Sequence, residues 1–134
     1  MDLTGFWTGT YWYFDHSQPV VPFLANLDDQ GGSLSGSISE PDLHFGTGMR
    51  LEAILVGLRE GRRVNFAKAY DGAGPFAHRV DYNGSLSDDG KVIKGSWYLS
   101  GYWGAFEMSR ELLELEEPAE ESVEATLAME FELK

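Results

Sequence analysis

Lys68 and Glu40 are the two residues of this sequence whose type and place in the pattern raise a question of chemistry. Lys68 stands in Arg63–Tyr70, RVNFAKAY, on the same alternating set as Val64, Phe66 and Tyr70. Glu40 follows Ser33–Ser39, SLSGSIS, where Leu34, Gly36 and Ile38 alternate with serines. Alternate residues of a strand point to one face, so both charges fall on the apolar side of their strands. A charge turned inward must be paired or wet, because burying it alone costs several kcal/mol. For Lys68 two readings stand open: it meets a ligand carboxylate, or it is a rim cation whose stem reaches out to water. Glu40 precedes Pro41 and is expected at the mouth of a site, with plain surface as the alternative.

Around these two, the same alternation collects an aromatic wall. The inward set is Tyr11, Tyr13, Phe23, Ile38, Glu40, Phe66, Lys68, Tyr70, His78, Tyr82, Trp97, Phe106 and Met108. Rings with a few polar groups are the usual make-up of a small-molecule pocket. Gly9, Gly36, Gly84 and Gly95 fall on the same faces and are expected to leave space there. Alternatively, they only permit the coiling of barrel strands. No nucleophile elbow G-x-S-x-G, no phosphate loop G-x-x-x-x-G-K-[ST] and no G-x-G-x-x-G occurs. His16, His44 and His78 are scattered without metal-ligand spacing, so no metal and no cofactor is expected.

The elements that must position these residues are short strands. Gly5–Phe14 puts Trp7, Gly9, Tyr11 and Tyr13 on one face and Phe6, Thr8, Thr10, Trp12 and Phe14 on the other. Val20–Leu27 is a second strand, with Pro22 suited to an edge or a strand start, and Asp28–Gly32 reads as a turn. Ser33–Ser39 is a third, followed by a loop over Pro41–Gly48. Met49–Leu58 reads as helix or strand from its apolar run, and Gly57 and the flanking turns favour strand. Arg63–Tyr70, His78–Leu86 and the two runs of Lys91–Arg110, split by the turn signal Ser100–Gly101, complete the set. The connections are too short for parallel crossovers. The expected fold is therefore all-β, an eight-stranded antiparallel up-and-down barrel that closes to hide its edges. A two-sheet sandwich is the alternative.

Composition separates residues 1–110, the barrel, from 111–134, an acidic C-terminal extension. The chain has 134 residues and a net charge of −12. The first part carries nine Lys/Arg against thirteen Asp/Glu, and the extension one against nine. Val123, Ala125, Leu127, Met129, Phe131 and Leu133 alternate with mostly polar residues, so 122–133 is expected to form a ninth strand. Such acidity argues against a nucleic-acid partner, and no apolar run reaches the roughly 20 residues of a membrane span. The start MDLTGFW lacks the regions of a signal peptide, and there are no cysteines; both fit a cytoplasmic location.

Leu3-Thr4-Gly5-Phe6-Trp7 resembles the G-x-W opening of calycins, the group of lipocalins, fatty-acid-binding proteins and avidins. The resemblance implies that Arg110, at the end of GAFEMSR, packs across Trp7 and closes one barrel end. Phe23–Ile38, with its Gly-rich turn before Ser33-Leu34-Ser35-Gly36, is similar to the second hairpin of avidin and streptavidin, and Tyr82-Asn-Gly and Trp97-Tyr-Leu to their later strands. The likeness spans about residues 3–110. Its ligand-reading positions depart from the family: Thr8-Gly9 follows Trp7, Ile38 and Glu40 stand at the third-strand positions, Lys68 at the stacking tryptophan, and His78 and Val80 on the sixth strand. Biotin is therefore not the expected ligand. A haem-binding barrel, which also opens G-x-W-x-G, would need His78 as its axial ligand.

The leading expectation is a non-catalytic barrel binding a small hydrophobic or amphipathic ligand that can carry an anionic group. The alternative is an acidic interaction or inhibitor module with a filled barrel, docking a partner or another copy through the Phe6/Trp12/Phe14 face or the C-terminal segment. An enzyme built on Lys68, Glu40 and His78 ranks third.

Overall fold

The computed structural model describes residues 2–70 and 79–110. Eight strands run in chain order: β1 Gly5–Tyr13, β2 Val21–Gln30, β3 Ser33–Pro41, β4 Arg50–Glu60, β5 Arg63–Tyr70, β6 Arg79–Leu86, β7 Val92–Leu99 and β8 Tyr102–Ser109. Each pairs antiparallel with the next, and β1 pairs with β8 through Gly9↔Met108, Tyr11↔Phe106 and Tyr13↔Gly104. The sheet is thus a closed barrel, and neither end strand is left with an unpaired edge. Its fold is compatible with the calycin type. Among the described residues no helix is long and apolar enough to cross a membrane.

Local sequence explains the hairpins. Gly31 and Gly32 both take positive φ, 62° and 99°. They form the two-residue link whose twist matches the flanking strands. Ser100 and Gly101 do the same between β7 and β8, at 43° and 90°. β4 is a strand throughout, which resolves the ambiguity of its apolar run. That run is apolar on both faces because Ala53 and Leu55 are buried while Ile54, Val56 and Leu58 stand out in solvent, each about 60% exposed. Phe6 and Phe14 are also exposed on the outer wall of β1 and just beyond its end.

β2 is longer than the expected Val20–Leu27. It continues through Asp28 and Asp29 to Gln30, alternating in burial along its whole length. Asp29 is turned inward, where its carboxylate accepts hydrogen bonds from the backbone N–H of Leu3 (2.9 Å) and Gly32 (2.8 Å) and from Arg59 Nε (2.7 Å). Burial pushes its pKa up, but the Arg59 and backbone hydrogen bonds and the Arg59 charge together hold it below the usual carboxylate range. Asp29, which reads as part of a turn, therefore serves as the clasp of one barrel end.

The same end carries the Trp7–Arg110 contact. The Arg110 guanidinium lies 4.7 Å from the Trp7 ring centroid. It donates through Nε to Gly90 O (3.1 Å) and through Nη2 to Asp2 O (2.9 Å), and Trp7 Nε1 donates to Leu3 O (3.0 Å). Above this floor the lumen is filled by Leu27, Leu34, Leu55, Val64, Phe66, Ile93, Phe106 and Met108. Phe66 stacks on Tyr82 at 4.7 Å and 9°, and Phe106 meets Tyr82 edge-on at 5.0 Å.

The four inward glycines do not empty the lumen. A Cβ at Gly9 would run into the Phe23 ring, and one at Gly84 would lie 2.9 Å from the Phe106 ring. At Gly36 and Gly95 the backbone carbonyls of Asn26 and Asn83 occupy the place. These glycines allow neighbours to close in, the opposite of vacating space. His78, the acidic extension and the expected ninth strand lie outside the described residues.

Replacing Arg110 with Met removes the guanidinium from the Trp7 ring together with its hydrogen bonds to Gly90, Thr4 and Asp2. Hydrogen bonds from a charged group are each worth about 1.5–3 kcal/mol. Urea denaturation should show R110M destabilised by about 2 kcal/mol or more, and an unchanged midpoint would show that this contact does not hold the barrel end.

Candidate functional site

The site begins with two strands that are not neighbours. Glu40 is the penultimate residue of β3 and Lys68 lies in β5, with β4 between them. Barrel curvature turns both inward, and Lys68 Nζ lies 2.9 Å from Glu40 Oε1. Each residue is only 1% exposed. Glu40, expected at the mouth or on the surface, is thus a buried residue, and Lys68 is not a solvated rim cation. Neither strand by itself shows this contact, which exists only once the fold brings the two charges together.

Three tyrosines complete the arrangement. Tyr11 OH donates to Glu40 Oε2 at 2.6 Å, and Tyr70 OH lies 3.1 Å from both carboxylate oxygens. The Lys68 ammonium sits 4.5 Å from the Tyr11 ring centroid, 4.7 Å from Tyr70 and 5.3 Å from Tyr82. The cation therefore has a carboxylate on one side and aromatic faces around it, an attraction that strengthens when water is excluded. No buried side-chain N or O among the described residues is without a hydrogen-bond partner, which is the condition under which a buried ion pair is tolerable.

The electrostatics follow from burial and from this pairing. For Lys68, burial favours the neutral amine, but Tyr82, Tyr70 and Glu40 outweigh it and raise the pKa above the ordinary lysine value. At neutral pH the phenols are uncharged, so the formal negative charge facing Lys68 is that of Glu40. Tyr82 is pushed up to about 12 by burial, with Lys68 pulling the other way. Tyr11 is raised further, by burial first and then by Tyr70 and Glu40, and Tyr70 is raised by burial against the pull of Lys68.

Above this cluster the barrel is hollow. A cavity of about 300 Å³ opens at the end opposite Trp7 and Arg110. Tyr11, Glu40, Lys68 and Tyr82 belong to its lining, as do Tyr13, Tyr70, Val80 and Trp97. Gln18, Leu43, His44, Phe45, Leu51, Leu99 and Tyr102 line it as well. Trp97 is fixed by its Nε1 donating to Trp12 O (3.1 Å), and Tyr13 meets it edge-on at 4.7 Å. The loop after β3 is held by Asp42, which accepts from Phe45 N (2.9 Å) and Thr47 Oγ1 (2.6 Å). His44 Nδ1 lies 3.0 Å from Gln18 Oε1, joining the loop after β3 to the loop after β1 across the mouth.

Of the residues expected to bind a ligand, Tyr11, Tyr13, Glu40, Lys68, Tyr82 and Trp97 line this cavity. Phe23, Ile38, Phe66, Phe106 and Met108 are buried in the core and are not among its lining residues. His78 lies outside the described residues. Leu43, His44, Phe45 and Gln18 were missed because loop residues carry no alternation. Asp42 and Thr47 are the local residues whose side chains hold the loop.

Chemically, the arrangement is suited to holding rather than reacting. Glu40 has its oxygens engaged by Lys68, Tyr11 and Tyr70, and a charged Lys68 is not a nucleophile. No family of known proteins matches this sequence, and no curated protein matches it either.

Two outcomes follow. The buried tyrosines lose protons later in the folded chain than in the unfolded one, whose phenols titrate near 10. Their contribution to stability is complete below about pH 10 and is lost as the pH rises through the folded values. An absorbance titration at 295 nm should leave Tyr11, Tyr70 and Tyr82 un-ionised until the barrel unfolds in alkali, and a single phase near 10 counting all six tyrosines would contradict this. Second, Glu40→Gln and Lys68→Met should each cost about 3–5 kcal/mol, since either leaves a buried charge unpaired. The double variant should lose clearly less than the sum in urea denaturation, whereas additive losses would mean the two residues do not interact.

Proposed function

We propose that this protein is a non-catalytic small-molecule-binding barrel that holds a mostly apolar ligand in its open half. The observation that carries the reading is the division of the lumen. The half nearest Trp7 and Arg110 is packed solid, and the other half is a cavity of about 300 Å³ walled by Tyr13, Val80, Trp97 and Leu99. A concave, largely apolar site with a few placed polar groups is what small-molecule recognition requires. The resemblance of Gly5–Trp7, Arg110 and the β2–β3 hairpin to calycins, and to avidins in particular, supports the same reading. A filled barrel acting only as an interaction scaffold is less well supported, because it leaves this hollow without a role.

The test uses a neutral apolar fluorophore, N-phenyl-1-naphthylamine, whose emission rises on leaving water. The intact chain should bind it saturably. Leu51→Trp, placing a large ring in the cavity wall beside Glu40, should weaken binding at least tenfold with an unchanged circular dichroism spectrum. Saturable binding that ignores Leu51→Trp would place the probe elsewhere, and absence of saturable binding would remove the proposal.

A further inference from the structure

Within that reading, the floor of the cavity narrows the chemistry of what can enter. Three observations bear on it. The first is charge. Glu40 and Lys68 lie at 2.9 Å and are each 1% exposed, so the buried pair brings no net charge to the site. A ligand carboxylate would give up its hydration to approach a cation already committed to Glu40, and would face the Glu40 charge as well. A ligand cation would meet Lys68 where the tyrosine rings already surround an ammonium. Unpaired charge in such surroundings is unfavourable for either sign.

The second observation is hydrogen-bond direction. A phenol has one proton to donate, and Tyr11 gives its own to Glu40 at 2.6 Å. The Tyr11 oxygen is left as an acceptor. Lys68 shares its three N–H groups among Glu40, Tyr70 and Tyr82, so what the floor offers a ligand hydroxyl is a phenol oxygen that accepts its proton. The third is shape. About 300 Å³ is the small end of the range for ligand pockets. The rings of Tyr13, Trp97 and Tyr102 bound it on one side, with Tyr13 edge-on to both of the others at 4.7 and 6.2 Å. Planar rings gain from edge and offset contacts of this kind, and a flexible alkyl chain does not.

We propose that the cavity selects compact, uncharged aromatic molecules of about two fused rings bearing a hydroxyl group, and discriminates against the corresponding carboxylates, because the Glu40–Lys68 pair neutralises its floor. The inference rests on the ligand-binding reading above, and its test separates the two. Calorimetric titration at neutral pH compares 2-naphthol, 2-naphthoate, 1-octanol and octanoate on the full chain. The expected order has 2-naphthol tightest, at least tenfold tighter than 2-naphthoate and tighter than 1-octanol. Equal or tighter binding of 2-naphthoate would overturn the charge argument, and tighter binding of 1-octanol the argument from the rings; either leaves ligand binding itself in place. If none of the four binds while N-phenyl-1-naphthylamine does, the proposed class is wrong. If that probe fails too, ligand binding falls with it. In Glu40→Gln the floor becomes cationic, so 2-naphthoate should overtake 2-naphthol. An unchanged order in a variant that retains the wild-type circular dichroism spectrum would show that Glu40 does not set the preference.

Discussion

A lysine and a glutamate that meet out of water inside a β-barrel constrain everything built around them. Removing both charges from water costs more than their attraction returns unless the remaining hydrogen-bonding positions are filled. Here two hydroxyls fill the Glu40 oxygens, Tyr11 from β1 and Tyr70 from β5. That network ties strands on different sides of the barrel to one point. It also divides the lumen. Hydrocarbon and ring packing fills the space toward Trp7, and an aromatic-walled hollow lies toward the mouth.

The closed end shows the same principle in another form. Asp29, Arg59 and Arg110 are polar groups turned toward the interior, and each is bound to backbone or to an opposite charge. Arg110 additionally stacks on Trp7. No sheet edge is exposed at either end, because the β1–β8 pairing joins the sheet into a ring.

Much of the architecture was legible in the residues. Alternation in SLSGSIS, in RVNFAKAY and along Lys91–Arg110 gave the strands and their inner faces, and Ser100–Gly101 marked its turn. Alternation could not show which inward residues meet. Glu40 and Lys68 are 28 positions apart on strands that do not pair with each other, so their contact exists only once the sheet curls. Nor could it show depth along the barrel axis. Phe66, Phe106 and Met108 point inward like Trp97, but they lie in the packed half. Asp28-Asp29 looked like a turn because composition says nothing of an Arg59 thirty residues on that needs a carboxylate. The glycines misled for a related reason: a missing side chain reads as room, whereas the neighbouring ring or strand moves in to take it.

The claim on which the account depends is that Lys68 is a charged ammonium locked against Glu40 inside the tyrosine rings. Nitrogen-15 NMR of the lysine side chains, followed from pH 6 to 10.5, measures this directly. The account predicts one ammonium resonance, assigned by its loss in Lys68→Met, that exchanges protons slowly and does not shift while exposed lysines begin to titrate toward about 10.4. A Lys68 signal that exchanges as fast as the others, or that titrates within that range, would contradict it.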